Sequence, residues 1–277
     1  MEAINSYYLE NDTVKEVKEF GLNFKNNGKN YYEVIRIFNN VPLFLNDHLS
    51  RLINTFKLEN AALWLDSDEI KKKISLLIEV NKIENGIIKL VFNVKENEKN
   101  FYGYFIERNH LEDKEYVYGV NTGLFYGKRI KPNSKIVDSS LRAETNRVIA
   151  ERNLLEVILV NEDNTITEGS RSNMYFVKGE KIVTVAIDKV LPGITRSKIL
   201  EICTGLQYQV EERTINVDEL RDFDGAFMST TPLGVVPIRK IEEIEYNVDD
   251  NNVVKSIVQG YMQMVKEYEK SVKTKFQ

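Results

Sequence analysis

Thr167-Glu-Gly-Ser-Arg-Ser-Asn173 and Leu191-Pro-Gly-Ile-Thr-Arg196 are the two stretches on which the reading of this chain turns. The first is a polar turn between two apolar runs, Val157-Ile-Leu-Val160 and Ser172-Asn-Met-Tyr-Phe-Val177, which read as strands. Ser and Asn are ordinary turn formers because they hydrogen-bond their own backbone; the glutamate among them is less ordinary. The second stretch introduces a helix near Thr195. Pro-Gly is common punctuation before a helix. Gly193 also allows close backbone approach, and Thr195 with the helix N-terminal amides suits a phosphate.

Outward from these stretches, strands and helices intermix. Tyr31–Phe38 is rich in β-branched and aromatic residues, and Asn39-Asn40 turns it into Pro42–Leu45, which predicts a hairpin over 31–45. Asn46 or Asp47 is the expected cap of a helix carrying Leu49, Leu52, Ile53 and Phe56. Ser67-Asp-Glu-Ile opens a second helix, with Ile70, Ile74, Leu77 and Ile78 at helical spacing. Two strands follow, 86–93 and 101–108, across a polar turn. Lys128-Arg-Ile-Lys-Pro-Asn-Ser-Lys135 breaks the pattern and reads as a linker. Beyond it come a helix over 139–153, strands at 181–186, 208–213, 226–229 and 235–241, and a packing helix over 253–272. The expected class is α+β (mixed α/β).

Composition narrows the function. The chain has 277 residues and a net charge of −4, so no basic excess invites nucleic acid. Cys203 stands alone, which removes disulfide scaffolds and Cys-rich zinc sites, and two histidines leave little for a metal centre. No apolar run approaches the ~18 residues of a membrane span, and Met1-Glu-Ala-Ile-Asn-Ser lacks signal-peptide character. The expectation is a cytoplasmic protein with no metal, nucleic-acid or membrane partner.

Two more segments complete a constellation. His48 and Arg51 are three apart on one helix and share a face, and Ser229-Thr-Thr231 closes a strand with three hydroxyls. Singly each reads as a solvated face or a turn. Together, Arg51, the 193–195 turn and the 229–231 hydroxyls make three phosphate-type elements without a Walker or Rossmann glycine pattern. With a glutamate in a Gly/Ser turn, the set suits pyridoxal phosphate, which needs a phosphate cradle, a lysine and a carboxylate for its ring nitrogen.

Tyr32-Glu-Val-Ile-Arg36, His48-Leu-Ser-Arg-Leu52, Thr167–Asn173, Leu191–Arg196 and Phe227-Met-Ser-Thr-Thr231 resemble, in order, the segments of the class IV aminotransferases. That group includes branched-chain and D-amino acid aminotransferases and aminodeoxychorismate lyases. The resemblance implies a small N-terminal domain (1–118), a linker (119–134) and a larger C-terminal pseudo-barrel domain (135–277). It also implies pyridoxal 5'-phosphate held between the domains, and a homodimer. It places the Schiff-base lysine roughly thirty residues before the glutamate. Lys135 lies 33 residues before Glu168, whereas the rivals Lys128 and Lys131 lie further off in the charged linker. By the same resemblance, Arg51 pairs bidentately with the phosphate, and Ile194, Thr195, Thr230 and Thr231 complete its cradle. Glu168 faces the ring nitrogen.

On the substrate side the resemblance breaks. Relatives that act on D-amino acids carry an Arg-Gly stretch after the strand at 87–93, where this chain has Phe92-Asn-Val-Lys. Strand alternation puts Tyr32, Val34 and Arg36 on one face of their strand, and Tyr102, Tyr104, Ile106 and Arg108 likewise share one parity. Tyr32, Arg36 and Arg108 are therefore the candidate substrate-binding residues. Amino-group transfer between an amino acid and a 2-oxo acid is the expected reaction. The alternatives are 4-amino-4-deoxychorismate lyase activity and a non-catalytic relative.

Overall fold

The computed structural model describes residues 2–24, 27–107, 111–129 and 131–274. The chain divides into two compact units. The first comprises Met1–Asn109, Ser134–Val137 and Val265–Gln277, and the second comprises His110–Asn133 and Asp138–Met264.

In the first unit, β1 (Ala3–Glu10), β2 (Thr13–Glu16) and the short α1 (Phe20–Asn23) precede β3 (Lys29–Phe38) and β4 (Val41–Pro42). Two helices follow, α2 (Leu45–Leu58) and α3 (Ser67–Asn81), and then β5 (Gly86–Lys95) and β6 (Glu98–Ile106). The strands form one sheet in the order β2-β1-β6-β5-β3-β4, antiparallel throughout. The expected hairpin is present, with Asn39 and Asn40 both in the left-handed region at φ 49° and 65°, as a two-residue primed turn requires. The expected caps of α2 are not used. The helix starts at Leu45 behind Phe44, which takes a left-handed φ of 51° and offers no side-chain cap. Burial decides the start, because the Phe44 ring packs 4.7 Å from that of Tyr268. At α3 the side chain of Asp66 caps the N–H groups of Asp68 and Glu69, while Glu69 returns a bond to Asp66 N–H.

The sheet has two different faces. Leu49, Leu52 and Phe56 of α2 and Ile70, Ile74 and Leu77 of α3 cover one, against Tyr31, Ile35, Ile88 and Phe105. The other is an aromatic face on which Tyr8, Phe20, Tyr32, Tyr102 and Tyr104 cluster with Val34 and Ile106. The predicted alternation in β3 and β6 is thus the alternation of the sheet.

In the second unit, α4 (Asp113–Tyr118), β7 (Val120–Tyr126), α5 (Ser139–Glu151), β8 (Glu156–Val160) and β9 (Thr165–Gly169) lead to β10 (Asn173–Lys178) and β11 (Lys181–Val185). Then come α6 (Ile194–Gly205), β12 (Gln209–Arg213), β13 (Ile215–Asn216), β14 (Gly225–Thr230), β15 (Gly234–Ile241), β16 (Ile244–Glu245) and α7 (Asn252–Thr274). The pairing path runs β12-β11-β10-β14-β15-β7-β8-β9-β13. β9 also packs against β10 and β11, so the sheet curls on itself as a pseudo-barrel. Its core gathers Ile158, Met174, Phe176, Val236 and Ile238. The sequence pattern misses β9, whose Thr-Ile-Thr-Glu-Gly has one apolar residue; Ile166 pairs with both β8 and β13.

The division departs from the expected boundaries at 118 and 135. β7 belongs to the second unit because it pairs with β8 and β15. Residues 134–137 belong to the first because they pair with β3: Tyr32 N–H donates to Lys135 carbonyl at 3.1 Å, and Val137 N–H to Asn30 carbonyl at 3.1 Å. The end of α7 joins the first unit, where Asn39 Nδ2 donates to Glu269.

Helix α3 separates two kinds of stabilisation in one element. Asp66→Ala removes an exposed cap and costs about 1 kcal/mol. Ile74→Ala opens a cavity at a position 1% exposed and costs about 2–5 kcal/mol. Urea denaturation of both variants checks that order; equal losses would mean that α3 is not held by its apolar face.

Candidate active site

Strand β3 serves two polar arrangements, one through each face. On the helix side, Glu33 is 1% exposed and meets α2. Arg51 donates to it twice, Nε to Oε1 at 2.8 Å and Nη2 to Oε2 at 2.7 Å, and His48 Nδ1 lies 2.8 Å from Oε2. Burial works to raise the Glu33 carboxyl, but the Arg51 charge and the hydrogen bonds from Arg51 and His48 outweigh it and hold it at about 2. For His48, burial lowers the imidazole; the Arg51 and Lys135 cations act with burial and Glu33 acts against it. A neutral ring must donate from Nδ1 to a carboxylate. The 3.4 Å approach of Arg51 Nη2 to that nitrogen is therefore a contact rather than a hydrogen bond.

On the aromatic side stands Lys135. Its Nζ lies 4.6 Å from the centroid of the Tyr32 ring, and the backbone bonds to β3 hold the segment that carries it. Ser134 adds a bond to Glu59 at 3.0 Å, and Glu59 also pairs with Lys29. Arg36 is half-buried, with its guanidinium carbon 5.8 Å from the Phe38 ring. Arg108 lies outside the described residues.

In the second unit a carboxylate that the sequence did not single out organises the 167–173 turn. Glu156 is 4% exposed. Its Oε1 accepts from Val157 N–H, Ser170 N–H and the Ser170 hydroxyl, and its Oε2 accepts from Arg171 N–H and the Ser172 hydroxyl. A side chain at Gly169 would put its Cβ 2.0 Å from Ser172 Oγ, so the turn closes only around a glycine there.

Glu168, on β9 just before that turn, is buried. One oxygen accepts from Leu191 N–H at 2.9 Å; the other stands 3.0 Å from Arg129 Nε, out of hydrogen-bond alignment, so this is an ion pair. Arg129 also donates to the Ser170 carbonyl at 3.2 Å. Asn173 Nδ2 holds the other side of the loop at the Leu191 carbonyl, 3.0 Å. Its Oδ1 lies 2.2 Å from where a Cβ on Gly193 would be, so any larger residue at 193 must displace it. Helix α6 then starts with no side-chain cap. Its ladder begins with Ser197 N–H donating to Gly193 carbonyl at 3.1 Å, with the N–H groups of Ile194, Thr195 and Arg196 ahead of it. Helix α6 packs on β14. Asn173 pairs with Ser229 across the sheet, and Thr230 and Thr231 follow, half-buried.

Each unit thus brings together its own part of the predicted set. The first gathers Tyr32, Lys135 and, across the sheet, Arg51. The second gathers Glu168, Ile194, Thr195 and the strand end at Thr230. Glu33, Arg129, Glu156 and Asn173 are additions of the structure. Among the described residues, no group of three His, Cys, Asp or Glu side chains could hold a metal ion, and no helix is long and apolar enough to cross a membrane.

Residues 30–241 match the family model described as amino-transferase class IV. The chain belongs to the class IV aminotransferase family. It is 30% identical to a probable branched-chain-amino-acid aminotransferase of Thermotoga maritima, over 76% of this chain and 77% of that one. It is 28% identical to a D-alanine aminotransferase of Bacillus licheniformis, covering 82% and 83%. An aminodeoxychorismate lyase of Bacillus subtilis matches at 24% over 95% and 94%. Among solved structures, the Escherichia coli branched-chain aminotransferase shares the fold with a TM-score of 0.84 at 19% identity over 95% of both chains. Members of the family are enzymes that use pyridoxal 5'-phosphate.

The buried Glu33 cluster has a pH signature. The folded carboxyl sits at about 2 against an ordinary 4.5. Its contribution is therefore complete above pH 4.5 and is lost as pH falls toward 2. Glu33→Gln leaves Arg51 buried opposite a neutral amide, which costs about 3–5 kcal/mol near neutral pH. The variant's urea midpoint should also fall less steeply than that of the wild type between pH 4.5 and 2. Parallel profiles would show that Glu33 does not set that slope.

Proposed function

We propose that this chain is a pyridoxal-phosphate aminotransferase that moves an amino group between an amino acid and a 2-oxo acid, with Lys135 as its reacting lysine. The observation that carries this reading is the Lys135 amine held over the Tyr32 ring by a segment bonded to β3 at the Lys135 carbonyl and again at Val137 N–H. A flexible linker lysine has no reason to be fixed in this way.

The residues fit the cofactor. The uncapped start of α6, with Gly193 leaving room for close approach, supplies backbone N–H groups for a phosphate. Thr195 and the hydroxyls of Thr230 and Thr231 suit its remaining oxygens. Arg51 gives the Nε–Nη2 edge of its guanidinium to Glu33, so its part in the cradle requires the opposite edge. Glu168 is a buried carboxylate with the permanent cation of Arg129 as counter-charge, suited to face a protonated ring nitrogen. When bound, pyridoxal phosphate supplies the electron sink that makes a Cα–H bond of the substrate acidic. Lys135 takes that proton and returns it, which requires its amine to be neutral during the transfer. Tyr32 packs the amine from below, and the deep burial of Glu33 and His48 keeps β3 rigid beneath both.

Lyase chemistry is the second reading, supported by the length of the match to the Bacillus subtilis lyase. It would release pyruvate and p-aminobenzoate with no amino acceptor. The resemblance also supports a homodimer working in the cytoplasm, with the dimer checked by light scattering. Purified protein should show the absorbance of bound pyridoxal phosphate, and borohydride should fix the cofactor to the peptide containing Lys135. Lys135→Ala should lose that attachment and at least about 10²–10⁴ of the rate. A colourless protein that takes up no cofactor sinks the proposal, and a panel of L- and D-amino acids assigns the substrate.

A further inference from the structure

On the aromatic face of the first unit, a cation and a phenol hold a carboxylate that belongs to the chain itself. Lys89, in the middle of β5, is paired with Glu2. Tyr104, directly opposite Lys89 on β6, donates its O–H to the same carboxylate at 3.0 Å. Lys89 Nζ lies 5.5 Å from the Tyr32 ring centroid and 6.0 Å from that of Tyr104. Since Lys135 Nζ lies 4.6 Å from the Tyr32 centroid, the two ammonium nitrogens are no further apart than the sum of their distances to one ring.

The receptor and its occupant differ in burial. The Lys89 side chain is 14% exposed and Tyr104 is fully buried, whereas the Glu2 side chain is 47% exposed. Burial and the neighbouring Glu2 push the Tyr104 phenol well up, so it remains a neutral donor. The half-exposed Glu2 side chain has water as an alternative partner, while a mostly buried ammonium beside a buried phenol needs an anion. The anion at this place is therefore exchangeable in a way that the place itself is not.

We propose that Lys89 and Tyr104 are the substrate-carboxylate site of this enzyme, and that Glu2 fills it with its own carboxylate until a substrate acid displaces it. The inference rests on Lys135 being the reacting lysine. Any amino acid or 2-oxo acid reacting there carries a carboxylate within a few bonds of the reacting atom. The segment where relatives carry an arginine cannot serve, because Asn93 is fully buried and its amide donates to the Asn27 carbonyl and to Asn30 Oδ1. Lysine is a point charge on a flexible stem and does not impose the planar fork of arginine. The site therefore accepts a carboxylate at more than one distance, from a short monocarboxylic or a longer dicarboxylic substrate.

The test uses the holoenzyme of the wild type, Glu2→Gln, Lys89→Met and Tyr104→Phe. Two measurements are made: KM and kcat with the reactive amino acid, and binding of the non-reacting acids acetate and succinate, read by the shift in cofactor absorbance. Glu2→Gln should lower KM and tighten acid binding several-fold, because an internal competitor has gone. Lys89→Met should raise KM by about tenfold or more, a larger change than its loss in kcat, with Tyr104→Phe in the same direction and smaller. Tightening of succinate alone in Glu2→Gln assigns the site to a second, distal carboxylate; tightening of both acids assigns it to the carboxylate common to all substrates. A Lys89→Met enzyme with wild-type KM and acid binding overturns the site, and unchanged binding in Glu2→Gln overturns the competition. A wild-type protein that takes up no cofactor fails earlier, at the function itself.

Discussion

Two backbone hydrogen bonds to β3 are the constraint from which the rest of the first unit's chemistry follows. Tyr32 N–H to Lys135 carbonyl and Val137 N–H to Asn30 carbonyl turn residues 134–137 into a short extra edge of the sheet. A lysine in a free loop samples many backbone and side-chain states, and ordering it costs about 1–2 kcal/mol of main-chain entropy and up to about 2 kcal/mol of side-chain entropy. Pairing its backbone with a strand meets the main-chain part of that cost at folding, so the amine is already beside Tyr32 before any ligand arrives. The strand itself cannot yield, because its opposite face is nailed to α2 through Glu33. Removing one member of that buried ionic cluster would leave an uncompensated charge, which is far more costly than the loss of a surface pair.

The second unit fixes its turn with one acid set among paired strands. Glu156 collects five donors from residues 157, 170, 171 and 172. A carboxylate has about four lone-pair sites, so the five donors fill its hydrogen-bonding capacity. Glu168 on one side of the turn and Asn173 on the other then grip residue 191 by its N–H and its carbonyl respectively. The start of α6 is thereby fixed by contacts that leave its own first N–H groups to one side. A helix N-terminus that must bind an anion cannot also be capped by its own chain, and the lack of a side-chain cap at Gly193 is consistent with that demand.

The sequence made some of these features legible and hid others for definite physical reasons. Local periodicity points to the helix opening at Ser67, to the one over 253–272 and to many strands, though not to β1, β2 or β7, since a repeat of 3.6 or 2 records which face is buried. It could not reveal β9, where burial rests on Ile166 alone, or the start of α2, where a buried Phe44 overrides the better cap residues that follow. The candidates Lys135, Glu168 and Thr195 come from the resemblance to the family's segments. Their partners were not legible, because Arg129 and Glu156 are separated from Glu168 and the turn by long stretches of chain, and nothing in a linear pattern records such a pairing. Glu33 was quoted within the Tyr32–Arg36 segment but passed over, since alternation drew attention to the parity of Tyr32.

The two units each contain one buried carboxylate–arginine pair, and the pairs differ in alignment. Glu33 and Arg51 are aligned, with two hydrogen bonds of 2.8 and 2.7 Å. Glu168 and Arg129 approach as closely, at 3.0 Å, yet not along a hydrogen-bond direction. The aligned pair, with His48 as a further donor to Glu33, satisfies its carboxylate within the first unit. A misaligned pair keeps the counter-charge, which favours the ionised carboxylate, but leaves the directional part of the interaction to a better-placed donor. In the proposed reading that donor is the protonated ring nitrogen of the cofactor. The first pair holds a strand, and in the proposed reading the second presents its carboxylate to that nitrogen.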